Sequence, residues 1–318
     1  MIPGQPPEAD RQPGTQGERS FLHGVFQLAI IGVGNMGGAM AENLLTRGWP
    51  VNVCDRYHDR CAALAPLGAL AFDNPGDAAV AAHCTIVCVV DAQQTRDVLF
   101  GSAGVAGVAG AMNLGGTVFL CPTMAPGDVE DIAARLRPLG LHCVDAPMSG
   151  GPARARDGSM SLMVACADFV FERHRLLIET LSSRVFRIGE RIGDGARTKL
   201  VNNLAAGINL VAAAEVMVMA SRMGLDAQAT LEVIEHSSGQ SWIGSDRMRR
   251  AIAGDHAPRA HMTLLEKDTR LAVQAALDAG YKGPLGAAAR DVFAAASAAG
   301  LADLDDAALL KYLGDNST

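Results

Sequence analysis

The segment Gly32-Val33-Gly34-Asn35-Met36-Gly37 has the spacing of a phosphate cradle. Its first glycine permits a tight turn, its second lets an anion approach the backbone, and its third allows a helix to pack closely on a strand. The helix that follows points unpaired N–H groups at the anion, so Asn35 and Met36 join the cradle. Eighteen residues past Gly37, Asp55 ends a second apolar run, where a carboxylate can accept from ribose hydroxyls. Arg56 beside it suits a 2′-phosphate instead, and the pair favours NAD with NADP as the alternative. Farther on, Asp145-Ala-Pro-Met-Ser149-Gly150-Gly151 sets consecutive N–H groups beside a hydroxyl. That arrangement suits either a carboxylate or an ordinary glycine-rich turn. Lys199 and Asn203 lie four apart, on one face of an expected helix. A lysine on such a stripe reads, by itself, as one that snorkels to the surface. Lys267-Asp268 alone reads as a surface pair.

The elements that must position these residues alternate in type. Leu28–Ile31, Val51–Cys54, Thr85–Val90, Thr117–Leu120 and His142–Val144 read as strands. Helix-length segments separate them, such as Met36–Arg47 and one through Cys61. Nearly continuous apolar strands alternating with helices indicate a parallel sheet covered on both faces. Residues Ser161–Ala165 and Val185–Ile188 suggest further strands around one helix. Beyond Gly195 the pattern turns helical, beginning with one long stretch over 196–223. Turns are expected at Gly224, Gly239, Gly254, Gly280 and Gly300. The fold class expected is α/β: a Rossmann doubly wound parallel sheet over 25–190, followed by an all-α domain over 191–318. Residues 1–24, rich in proline and glycine, read as a disordered tail.

The bulk properties exclude several classes. With 27 Lys+Arg against 34 Asp+Glu, net charge −7, the chain lacks the basic excess of a nucleic-acid binder. A membrane span is not expected either, because the longest apolar run, Leu204–Ala220, contains Asn209 and Glu215. The seven scattered cysteines form no CxxC pair and read as buried thiols in a reducing cytoplasm. Neither they nor the eight histidines have ligand spacing, so no metal is expected. Met217, Met219 and Met223 read as core or interface filling. The apolar excess of 196–223 suggests a homodimer or homotetramer.

In order along the chain, GVGNMG, DAPMSGG, GDGARTKLVNN and EKD resemble the signature of the β-hydroxyacid dehydrogenase family, over about residues 27–315. That family includes 3-hydroxyisobutyrate dehydrogenase, tartronate semialdehyde reductase and L-threonate dehydrogenase. The stretches VLFGSAGV (98–105) and GQSWIGSDRMRRAIAGDHAP (239–258) are most similar to the L-threonate branch. The resemblance implies a general acid/base role for Lys199, with Asn203 holding the substrate hydroxyl or carboxylate. It implies that Ser149, Gly150 and Gly151 bind the substrate carboxylate. Thr123 would then lie near the nicotinamide, with Lys267 closing over the cofactor and Asp268 positioning that segment. Pro122 and Leu120 depart from the serine and the acid usual in the family.

The function expected is hydride transfer between NAD(P) and a small 3-hydroxy acid: L-threonate, 3-hydroxyisobutyrate, or glycerate/tartronate semialdehyde. An imine reductase shares this fold but generally lacks the catalytic lysine. A non-catalytic nucleotide-binding module is the reading from outside enzymology.

Overall fold

The computed structural model describes residues 26–255 and 257–316. The tail expectation for 1–24 falls outside them. Strands β1 (Leu28–Ile31), β2 (Val51–Cys54), β3 (Leu70–Ala71), β4 (Cys84–Val87), β5 (Thr117–Leu120) and β6 (His142–Asp145) run parallel, in the order β3-β2-β1-β4-β5-β6. The order reverses beside β1, so the carboxyl ends of β1 and β4 open a crevice where a dinucleotide can lie. Beyond β6 the sheet turns mixed. Strands β7 (Met148–Ser149) and β8 (Ser161–Ala165) are antiparallel additions, and β9 (Arg184–Gly189) pairs parallel with β8.

Because successive side chains point to opposite faces, each strand feeds two cores. Leu28, Ile30, Val51, Val53 and Ile86 pack on one face, against helix α1 (Asn35–Thr46). Ile31, Cys54, Val87, Val118 and Leu120 pack on the other. With few aromatic side chains, the layers close on Ala, Val, Ile, Leu and Met. All seven cysteines are free. Burial pushes the Cys54 and Cys88 thiols up to about 12, so they behave as small hydrophobes.

One expected strand is shorter in the structure, and two short strands were not expected. The run Thr85–Val90 ends as a strand at Val87, because Val90 turns outward and Asp91 accepts the Gln94 N–H to start the next helix. The two-residue strands β3 and β7 are absent from the sequence reading, since two residues carry no periodicity.

After the sheet come helices only, among the described residues: α3 (Asp194–Arg222) is preceded by the short α2 (Gly151–Asp157) inside the sheet region and followed by α4 (Trp242–Ile252) and α5 (Met262–Asp278). By length and composition α3 could cross a membrane. It packs against α4, α5, Pro284–Ala296 and Leu309–Asp315, and it also reaches β8. Its buried stripe runs Ala196, Lys199, Leu200, Asn203, Gly207, Leu210, Ala214, Met217, Ala220, the i, i+3, i+4 spacing of one helical face. The opposite side leaves apolar groups in the open, among them Val201, Val216, Met219 and Met223.

Candidate active site

The glycine motif forms the turn between β1 and α1. Gly32 adopts φ +91°, and a Cβ there would lie 2.7 Å from the Cys88 carbonyl oxygen. At Gly37 a Cβ would stand 1.9 Å from the Gly32 carbonyl oxygen, so only glycine lets α1 begin this close to the strand. Gly34, by contrast, faces open space. The nearest atom to a Cβ there is Arg60 Nη1 at 3.5 Å, and no side chain caps α1. Among the described residues the N–H groups of Asn35 and Met36 have no carbonyl or side-chain acceptor, which leaves them free to meet an anion.

Asp55 is nearly buried at the end of this cradle. Its Oδ2 accepts the Val33 N–H at 2.8 Å, and its Oδ1 accepts the Tyr57 N–H at 2.9 Å. One carboxylate thereby ties the end of β2 to the glycine turn. Arg56 and Arg60 both stack on the Tyr57 ring, at 5.0 and 4.5 Å, and Arg60 Nη1 lies 3.6 Å from Asp55 Oδ1. Arg60 was not singled out in the sequence. Its only signal there is a cation in the first helical turn after an acid-ended strand. An open anion cradle leading to an acid flanked by arginines fits a pyrophosphate followed by a ribose, so a dinucleotide fits the residues present.

The second half of the site is built on α3. Asp145, at the end of β6, is 1% exposed and accepts the N–H groups of Gly193 at 2.9 Å and Ala196 at 3.0 Å. It therefore caps the N-terminus of a 29-residue helix from outside, since Gly193 has no side chain to do so. Burial raises the Asp145 carboxyl to about 6 despite these bonds. One turn into α3, Lys199 is 7% exposed. Burial lowers its amine from 10.5 to about 8, against the opposing pull of Asp268. The surface-snorkelling reading of this lysine is therefore excluded.

Asn203 lies on the same buried stripe, and its Nδ2 donates to Asp268 Oδ2 at 2.5 Å. Asp268 Oδ1 pairs with Lys267 Nζ at 2.9 Å, and Lys267 also donates to the Thr123 carbonyl oxygen at 2.7 Å. Lys267-Asp268 is therefore no surface pair. It links α5 to the loop after β5 and to Asn203 in one chain of polar contacts. Ser149, Gly150 and Gly151 stand half-buried where β7 passes into α2.

Profiles of known families divide the chain where this site divides. Residues 27–189 match the NAD binding domain of 6-phosphogluconate dehydrogenase, and residues 193–313 match the NAD-binding domain of NADP-dependent 3-hydroxyisobutyrate dehydrogenase. L-Threonate dehydrogenase of Cupriavidus necator is 34% identical over 284 residues, 89% of this chain and 95% of that protein. The chain belongs to the β-hydroxyacid dehydrogenase family. A crystal structure of 3-hydroxyisobutyrate dehydrogenase from Salmonella typhimurium agrees with a TM-score of 0.84 at 33% identity, covering 90% of this chain and 99% of that one. An imine reductase from Pseudomonas sp. covers 90% of this chain and 99% of its own with a TM-score of 0.60, but at 22% identity that is a likeness of fold alone. This β-hydroxyacid dehydrogenase has the expected N-terminal Rossmann sheet and C-terminal helical domain. It is an NAD(P)-dependent oxidoreductase acting on the hydroxyl of a hydroxy acid.

Proposed function

We propose that the enzyme oxidises a small 3-hydroxy acid with Lys199 as the general base, and that L-threonate, 3-hydroxyisobutyrate and glycerate/tartronate semialdehyde are the acids to try first. The observation that carries the reading is a buried amine held near neutrality, four residues from a buried amide on the same stripe. When bound, NAD(P) supplies the hydride acceptor. Lys199 Nζ, in its neutral form, takes the hydroxyl proton of the substrate. Asn203, held by Asp268, orients that hydroxyl or the carboxylate. Ser149, Gly150 and Gly151 receive the substrate carboxylate through their N–H groups and hydroxyl. Gly32, Gly34, Asn35 and Met36 hold the pyrophosphate, and Asp55 takes the ribose hydroxyls. A carboxylate there repels a 2′-phosphate, which supports NAD over NADP, while Arg56 keeps NADP within reach. Thr123 and Lys267, joined across the crevice, would border the nicotinamide.

Activity on nicotinamide cofactors against a panel of 3-hydroxy acids, with Lys199→Ala alongside, tests this. Lysine-dependent turnover on one acid is expected. Full turnover by Lys199→Ala would end the proposal.

The domain limits 25–190 and 191–318 are supported by the sheet ending at Gly189 and α3 starting at Asp194. A homodimer or homotetramer is supported by the exposed apolar side of α3, with Val201 72% and Met223 67% exposed. Seven free cysteines support a reducing, cytoplasmic location, and the acidic charge supports small-molecule rather than nucleic-acid or membrane partners.

A further inference from the structure

Arg154 lies on α2, one turn beyond the Ser149–Gly151 loop. Its side chain runs back along that loop. A Cβ on Gly150 would meet Arg154 Cδ at 3.0 Å and Arg154 Cβ at 3.3 Å. The guanidinium starts at the next atom, so its charge sits beside the loop. Neighbouring Arg156 is ion-paired with Glu42 on α1, but Arg154 has no ion-pair partner among the described residues. Asp157 feels its charge without reaching it. What holds the guanidinium is an aromatic face from the other half of the molecule: Arg154 Cζ stands 5.1 Å from the ring centroid of Trp242, the first residue of α4. Trp242 remains 53% exposed, so the stacked pair forms an open wall between the sheet and the helical domain.

We propose that Arg154 is a substrate-recognition residue, whose guanidinium, steadied on Trp242, supplies positive charge to the hydroxy-acid carboxylate received by the Ser149–Gly151 loop. This rests on the proposed function for the loop's role. The loop itself offers only N–H groups and one hydroxyl. A planar, permanently charged fork is the side chain best matched to a carboxylate. The ligand class is therefore an anionic hydroxy acid, and a neutral amide of the same skeleton gains nothing from Arg154.

The test compares wild type, Arg154→Met and Arg154→Lys, each loaded with cofactor. Two readouts run in parallel: kcat and KM for the 3-hydroxy acid turned over and for its primary amide, and calorimetric binding of isobutyrate, a carboxylate with no hydroxyl to oxidise. A charge-assisted contact of this kind is worth roughly ten- to hundredfold in binding. Arg154→Met is expected to raise the KM for the acid and the dissociation constant for isobutyrate by that factor. It should leave kcat and the amide within about threefold, and Arg154→Lys should recover part of the loss. The proposal is overturned if isobutyrate binds Arg154→Met as it binds wild type, or if acid and amide lose activity together. If wild type oxidises none of the acids, the functional reading fails, and isobutyrate binding still decides the role of Arg154.

Discussion

Replacing Lys199 by methionine is expected to stop turnover and, at neutral pH, to stabilise the protein. An amine whose pKa is 10.5 in the unfolded chain and about 8 in the folded one is held in a place that penalises its charge. At ~1.4 kcal/mol per pH unit, that difference corresponds to about 3 kcal/mol of lost stability when both states carry the proton. The sign follows from the direction. The folded value is the lower one, so the penalty is complete below pH 8 and fades as pH rises toward 10.5. At pH 9.5 about half of it remains. Methionine has similar length and no charge, so Lys199→Met removes the penalty while keeping most of the packing. Urea unfolding of the cofactor-free protein at pH 7 and pH 9.5 measures the change, which should reach about 3 kcal/mol at the first pH and roughly halve at the second. In the same preparations kcat should fall by about a hundredfold or more, the usual worth of a positioned proton acceptor. For wild type, kcat/KM for hydroxy-acid oxidation should rise with pH and level off above about 8. A Lys199→Met protein less stable than wild type at pH 7 would refute the reasoning, because the lysine would then be a partner in the fold rather than a strained group.

Asp145→Ala leaves the Gly193 and Ala196 N–H groups without their acceptor, whereas Asp145→Asn keeps an oxygen there; urea unfolding should place the alanine variant about 2 kcal/mol or more below the asparagine one. In steady-state assays the alanine variant should also lose more kcat, since Lys199 lies one turn from those amides. Gly37→Ala forces α1 off the Gly32 carbonyl and should cost about 1–3 kcal/mol in unfolding experiments. Its cofactor affinity, followed by fluorescence titration, should weaken with it. Asp55→Asn keeps one acceptor oxygen where the carboxylate serves Val33 and Tyr57 with two, and it removes the charge beside Arg56 and Arg60, so the ratio of kcat/KM with NADP to that with NAD should rise by about tenfold or more.

What could be read from the chain and what could not divide along a physical line. The glycine turn is legible because φ, close approach and helix start are local demands written into six consecutive residues. Lys199 and Asn203 are legible as a pair because helical spacing alone puts them on one face. The face they share with Ala196, Leu200 and Gly207 is buried, which spacing does not reveal, since α3 is apolar nearly all round. Asp145 looked like the first letter of a loop motif. Its bonds to Gly193 and Ala196 join residues 48 and 51 positions away. The bridge from Lys267 to the Thr123 carbonyl spans 144 positions. Contacts of that range leave no periodic trace in a single sequence.

These long-range contacts also explain why the site is built from parts that are unremarkable alone. The crevice at the carboxyl ends of β1 and β4 exists in any sheet of this order and holds no base. The proposed base, Lys199, arrives on α3, whose first turn is pinned to the end of β6 by Asp145. From there the helix passes into the helical domain, where Asp268 fixes Asn203 and Lys267 reaches back to the loop after β5. Three contacts, from Asp145 to the start of α3, from Asn203 to Asp268 and from Lys267 to the Thr123 carbonyl, fix the segments around Lys199. A shift at any of them moves the amine relative to the Ser149–Gly151 loop, the proposed seat of the substrate carboxylate. Loss of rate without loss of cofactor binding is therefore the signature expected from changes at Asp145 or Asp268, and loss of both from changes at Gly37.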